Sequence, residues 1–346
     1  MDVEIVDNNS VRLCMRSTIH SLYIWCREMN AQPEIVTMCV CTHRRPKMLR
    51  ACLESLAAQI IPADIAPQIV VIDNESEPNN RANVEAFATD CPFPVHYIHQ
   101  PKRGIAAARN AALDTATELK SAWIAMLDDD ETASPNWLAE LMAPEYRQVP
   151  ILSGKQVFLF PDRDAPFWHV KREKPRKAKD RNAQPFKFTY TNNVRFSTAI
   201  LRDGLRFNEA IGLMGGEDPE FFFAAFKAGA RIAKNDRAVT FETVHPERLT
   251  YRGQLKGTYW YAAGEVRQLA IEESWKNAIL KKGYTIPLSI LFGLLEVAAS
   301  PIFAATGLRN FKRRALAGGK KVARGAGRAA AMLGRMPKPY QTTVGS

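Results

Sequence analysis

The chain has 346 residues, 46 % of them hydrophobic and 24 % charged, with 47 Lys and Arg against 36 Asp and Glu. That length and apolar content support a large packed domain with an appendage and exclude a wholly disordered chain. The net charge of +11 is concentrated at one end: no acidic residue follows Glu296, while ten Lys and Arg lie between Arg309 and Lys338. A basic tail of this kind suits an anionic surface. Its only aromatic residues are Phe311 and Tyr340. Base stacking therefore lacks a platform, and a lipid leaflet is expected as partner, with no nucleic acid.

Residues 1–32 read as an N-terminal extension. They carry Asp2, Glu4 and Asp7 and no long apolar run, unlike a secretory signal, and Met29 offers an alternative start. Cys14, Cys26, Cys39, Cys41, Cys52 and Cys91 match no zinc spacing and read as reduced thiols of a cytoplasmic protein. From residue 35 a regular alternation begins. Buried strands are predicted at 35–41 (IVTMCVC), 68–72 (QIVVI), 95–99 and 123–127 (WIAML). Helices are predicted at 47–59, 79–88 and 105–119. This order predicts an α/β domain with a mostly parallel sheet covered by helices on both faces. Ligands of such sheets bind beyond the strand carboxyl ends. Polar clusters at 42–45, 73–75 and 128–130 fall there together.

The second half is less regular. Residues 161–187 hold nine basic side chains among prolines and read as a flexible loop. A strand at 188–196, a helix at 218–228 and a strand at 237–244 are expected. Residues 285–308 are apolar but interrupted by Glu296, which predicts helices lying in a membrane surface, or a re-entrant segment, over a simple span. The expected domains are a catalytic unit at 33–255, with a nucleotide-binding half (33–131) and an acceptor half (132–255). A membrane-associating helical region follows at 256–310, then a flexible basic tail at 311–346.

Asp128, Asp129 and Asp130 are the sharpest chemical signal. Three adjacent carboxylates repel one another, and hard oxygen ligands suit Mn2+ or Mg2+. In an extended segment Asp128 and Asp130 would face one site. A solvated acidic turn is the alternative reading of the triplet alone. The first turn shows neither G-x-G-x-x-G nor a P-loop, which argues against nicotinamide or P-loop nucleotide binding.

Five motifs occur in order: CTHRRP at 41–46 with Leu49, Leu53, Leu56 and Gln59 behind it; VIDNES at 71–76; RGIAAARN at 103–110; LDDD at 127–130; and Phe207-Asn208-Glu209 followed by Gly216-Glu217-Asp218. Together they resemble the family 2 glycosyltransferases over residues 34–252. The resemblance implies a GT-A, Rossmann-like fold and inversion at the anomeric carbon. It puts Thr42, Arg44 and Asp73 at the nucleotide base, and Arg103 and Arg109 on the donor side, where a guanidinium suits phosphate. Asp128 then meets ribose and metal, Asp130 meets the metal-diphosphate, and His245 completes the metal site. Asp218, with Glu217 beside it, becomes the general base. The processive Gln/Arg-x-x-Arg-Trp motif does not occur, so one sugar is added per encounter. A nucleotide-sugar donor, UDP-linked by preference, and a glycan or lipid-linked glycan acceptor at the cytoplasmic face of the membrane are implied, as in bacterial exopolysaccharide assembly of the succinoglycan type. The alternative is an inactive transferase-like scaffold or polyanion binder.

Overall fold

A computed structural model describes residues 32–160, 186–211 and 215–336. Most of the expected N-terminal extension and basic loop, and the end of the tail, lie outside these residues. The elements of the first half are β1 (Glu34–Thr42), α1 (Pro46–Ala57), β2 (Ile65–Asp73), α2 (Arg81–Asp90), β3 (Val95–His99), α3 (Ile105–Glu118), β4 (Trp123–Asp128), β5 (Glu131–Ala133) and α4 (Trp137–Leu141). Then follow β6 (Ile151–Leu159), β7 (Asn193–Ser197), α5 (Glu217–Lys227) and β8 (Ile232–Thr243). The chain continues in helices α6 (Pro246–Leu249), α7 (Tyr251–Glu272), α8 (Trp275–Lys282), α9 (Thr285–Ala299) and α10 (Leu308–Met332).

One sheet runs β3-β2-β1-β4-β7-β6-β8-β5. Its first four strands are parallel; β7 is antiparallel to both β4 and β6. Two apolar layers sandwich it. Val36, Met38 and Val40 of β1 pack with Leu49, Leu53 and Leu56 of α1 on one face, while Cys39, next to them in sequence, joins the α3 and α5 layer on the other. That is the period-2 alternation of a strand covered on both sides. Alanines 106, 108, 112 and 116 are buried against the sheet, and their small side chains let α3 lie close to it. The chain leaves β1 for β2 on one side and later lays β4 on the other. This reversal opens a crevice at the carboxyl ends of β1 and β4.

One expectation about the C-terminal part is corrected, while helix α7, which begins at Tyr251, runs through the expected boundary at 255/256. The basic stretch expected to be a flexible tail from residue 311 is helical to Met332, with Leu316 and Ala331 buried. Glycines make this packing close. A Cβ on Gly293 of α9 would lie 2.7 Å from the Gly318 carbonyl oxygen of α10, and one on Gly327 would lie 2.2 Å from that of Tyr259 in α7. Glu296 does not stand alone in the apolar stretch either. It pairs with Arg314 at 3.3 Å and Lys321 at 2.7 Å across the α9–α10 contact.

Candidate active site

Strand register assembles the rim. Thr42 stands opposite Asp73, and Cys41 opposite Asp128. Asp73 is fully buried; its carboxylate accepts from the Asn80 backbone N–H at 3.1 Å and the Tyr97 hydroxyl at 2.7 Å. It therefore orders the turn after β2 from beneath. Asn74 ties that turn to the next loop, donating to the carbonyls of Gln100 and Lys102 at 2.8 Å each and accepting from Gly104 N–H at 2.9 Å. Arg44 has φ +58, in the left-handed region that non-glycine residues rarely occupy. Its N–H donates to Glu75 Oε1 at 2.9 Å, while its side chain is 63 % exposed. Arg103 is exposed on the loop leading into α3.

The acidic triplet is not arranged as an extended segment. β4 ends at Asp128, and Asp129 and Asp130 form a turn into β5, so side chains no longer alternate there. Arg45 Nη1 bridges Asp129 Oδ1 at 2.8 Å and Asp130 Oδ2 at 3.0 Å, and the Thr42 hydroxyl donates to Asp129 Oδ2 at 2.8 Å. Asp128 stays 44 % exposed at the rim. Partial desolvation within the crevice, then the charge of Glu131, push its carboxyl above the usual range, with Arg109 pulling the other way. Burial likewise pushes Glu131 up to about 7, and its Oε2 is buried without a hydrogen-bond partner.

On the acceptor side, Glu217 and Asp218 open α5. Acidic residues there complement the helix N-terminus. Arg109 of α3, itself buried, sits between them and the donor side. Its Nη1 pairs with Glu217 Oε1 and lies 2.5 Å from Asp218 Oδ1, while Nη2 lies 3.9 Å from Asp128 Oδ1. The Asp218 contact is an ion pair without hydrogen-bond alignment, since Oδ1 has no hydrogen-bond partner. Asp218 Oδ2 is held instead by the Thr191 N–H at 3.2 Å and hydroxyl at 3.0 Å. Burial raises the Asp218 carboxyl to about 6; Arg109 opposes the rise and Glu217 adds to it. Proton affinity at that level lets a carboxylate take a proton from a hydroxyl near neutral pH. Phe207 carries its motif into the same wall, stacked on Phe221 at 4.1 Å with the Arg109 guanidinium 5.7 Å over its ring.

Asp128 and the orphaned Glu131 oxygen supply hard, proton-hungry carboxylates, a donor set that fits a divalent cation. One or two carboxylates, with phosphate oxygens completing the shell, are how Mg2+ is commonly held beside nucleotides. His245 follows β8 and caps the short helix after it. Its Nδ1 accepts from the Glu247 N–H at 3.3 Å, at the start of α6. Among the described residues no group of three or more His, Cys, Asp and Glu side chains is set to hold a metal ion.

Arg109, Asp128, Glu217 and Asp218 thus meet in one place. Arg45, Thr191 and Glu131 belong to the same network without having been singled out. Arg45 and Glu131 adjoin conspicuous motifs, whereas nothing around Thr191 in sequence marks it.

With this geometry in hand, the similarities to known proteins are specific. The model of the family described as Glycosyl transferase family 2 matches residues 37–207. The succinoglycan biosynthesis protein ExoM of Rhizobium meliloti (strain 1021) is 31 % identical over 267 residues, 73 % of this chain and 83 % of that protein. The mannosyltransferase PcManGT from Pyrobaculum calidifontis, in complex with GDP-Man and Mn2+, superposes with a TM-score of 0.57 at 17 % identity, covering 90 % of this chain and 94 % of that one. The architecture is that of the GT-A glycosyltransferases. The chain belongs to glycosyl transferase family 2.

Proposed function

We propose that this glycosyltransferase moves one sugar, with inversion, from a nucleoside diphosphate sugar to a hydroxyl of a lipid-linked glycan in exopolysaccharide assembly. The observation that carries the reading is the convergence of Asp218 and Asp128 on Arg109. It sets a candidate base within one guanidinium of a candidate donor ligand. Asp218 takes the acceptor proton as the oxygen attacks, and inversion needs no covalent intermediate. Asp128, with Glu131 and Asp130 beside it, would hold Mn2+ or Mg2+, and the ion would neutralise the departing diphosphate. The base lies over the turns at 42–44 and 74–75, with Asp73 as their anchor. The relative in succinoglycan biosynthesis supports the pathway assignment.

Calorimetric titration of UDP, GDP and their sugar conjugates tests this reading. Binding is expected for one nucleotide with Mn2+ present, weakened at least about tenfold without metal or in Asp128→Ala, since a metal clamp on the diphosphate supplies several kcal/mol. No binding of any nucleotide with metal present sinks it.

Membrane attachment is proposed for the C-terminal helices. The stretch Trp275–Ala305 is long and apolar enough to cross a bilayer by length and composition. It is divided, however, and α9 has only 15 residues, against the roughly 20 that a span requires. Leu288, Leu291, Phe292 and Leu295 are exposed on α9. They suit a helix lying in the interface, with the basic α10 packed beside it facing anionic headgroups. The full-length protein is expected to float with vesicles containing phosphatidylglycerol, and Leu291→Glu with Phe292→Glu is expected to leave it in the dense fraction. Equal flotation of both would rule out this face.

A further inference from the structure

The C-terminal helices also reach the active site. Glu217 and Asp218 follow two glycines, Gly215 and Gly216, with φ +75 and +91. Both lie in the left-handed region, and glycine is the most permissive residue there, so the backbone that leads into the two carboxylates is soft. Gly216 is the N-cap of α5, and no side chain caps the helix from that position. The first turn of α5 therefore lacks the local restraint that a Ser, Thr, Asp or Asn cap gives.

Arg267 of α7 restrains it from outside. Its Nη1 donates to the Gly215 carbonyl at 2.6 Å and its Nη2 to Glu220 Oε2 at 2.7 Å. One planar guanidinium thus holds the chain just before the carboxylate pair and the helix just after it. A Cβ on Gly216 would lie 2.9 Å from Nη1, so the turn closes directly against the guanidinium. Glu220 Oε1 also accepts from Asn208 Nδ2 at 2.9 Å, which joins the Phe207-Asn208-Glu209 segment to the same grip. A cation beside a helix N-terminus is electrostatically unfavourable. Glu220 offsets that cost, and what the arrangement gains is geometry.

The guanidinium stands on a fixed support. Val266, next to it in sequence, packs with Ala263, Ala278 and Ala331 in one apolar cluster shared by α7, α8 and α10. Glu265, two residues before Arg267, accepts from Arg328 Nη2 of α10 at 2.8 Å and pairs with Lys282 of α8. Asp218 is thereby located from two directions. Thr191 holds its side chain, and Arg267 holds the main chain that carries it.

We propose that Arg267 is a positioning residue for Asp218, its two-point grip fixing where the carboxylate stands against the acceptor hydroxyl. It acts through the backbone of the Gly215–Gly216 turn and through Glu220. The inference rests on the transferase reading of Asp218, and it makes α7 part of the catalytic unit as well as the link to the membrane-facing helices.

The test measures transfer from labelled UDP-Glc, UDP-Gal, UDP-GlcNAc or GDP-Man into membranes from a strain lacking this gene, with calorimetric binding of the free nucleotide as the check of folding in each variant. Arg267→Met is expected to keep nucleotide affinity within about twofold and to lower the transfer rate at saturating donor by about 10–100-fold, the scale of a misplacement of about 1 Å. Arg267→Lys keeps the charge but not the planar fork that serves two acceptors, and is expected to stay about fivefold or more below wild type. It carries the test if the methionine variant does not fold. In the Asp218→Asn background, either change at Arg267 is expected to alter the residual rate by less than about twofold, because no base remains to be misplaced. A wild-type rate in either Arg267 variant would overturn the proposal, and so would an equal fold-loss with and without the Asp218 carboxylate. Absence of transfer and of nucleotide binding in the wild type would instead remove the transferase reading, and the positioning role with it.

Discussion

Asp218→Asn is expected to slow sugar transfer by about 10²–10⁴-fold, the range a positioned general base contributes, while nucleotide affinity is retained. The asparagine is nearly isosteric and can still meet Thr191, so loss of the base rather than of structure is what the rate reports. The pH profile gives the sharper signature. The base works only when deprotonated, and burial sets the Asp218 carboxyl at about 6. Wild-type kcat/KM is therefore expected to be flat above neutrality and to fall as pH drops through 6. The residual rate of Asp218→Asn is expected to lack that acid limb. Glu217 contributes to the upward shift, so Glu217→Gln is expected to move the limb to lower pH. An acid limb unchanged in Asp218→Asn would assign the base to another group.

The second large effect is on stability. Arg109→Leu is expected to cost about 3–5 kcal/mol, because removing one partner leaves buried charge without compensation. Glu217 is 2 % exposed and Asp218 nearly as buried, so neither can turn to solvent. The Asp128 contact at 3.9 Å reaches a partly exposed carboxylate and adds little. Chemical denaturation measures the loss. Glu217→Gln in the Arg109→Leu background is expected to recover part of it, since residues sharing one network do not add independently. Strict additivity of the two changes, or a loss below about 1 kcal/mol, would show that Arg109 is not the tie between α3 and α5.

Much of the first half was legible from pattern alone. Strands β1, β2 and β4 are apolar runs covered on both faces, β3 is a half-buried edge strand, and α1 keeps its apolar positions at helical spacing; these are local properties of the chain. The motif order carried the family, and the family carried the assignment of Asp218. Local pattern misled where the backbone changed direction. Asp128 and Asp130 were expected to share a face because the segment read as extended, but the strand stops at Asp128 and Arg45 gathers the two residues beyond it. The tail from residue 311 read as flexible because its charge dominated its composition. Its glycines and alanines are instead the surface on which α7 and α9 pack.

The strand and helix order up to β4, the rim on which the polar clusters fall, and the family were thus legible in the chain's local pattern. Which charges meet was set by packing between distant segments. Arg109 lies 108 residues from Glu217, and Thr191 and Arg267 approach α5 from opposite directions along the chain. Pairings of that kind depend on the three-dimensional packing of α3, α5 and α7 about the sheet, and no local periodicity encodes them.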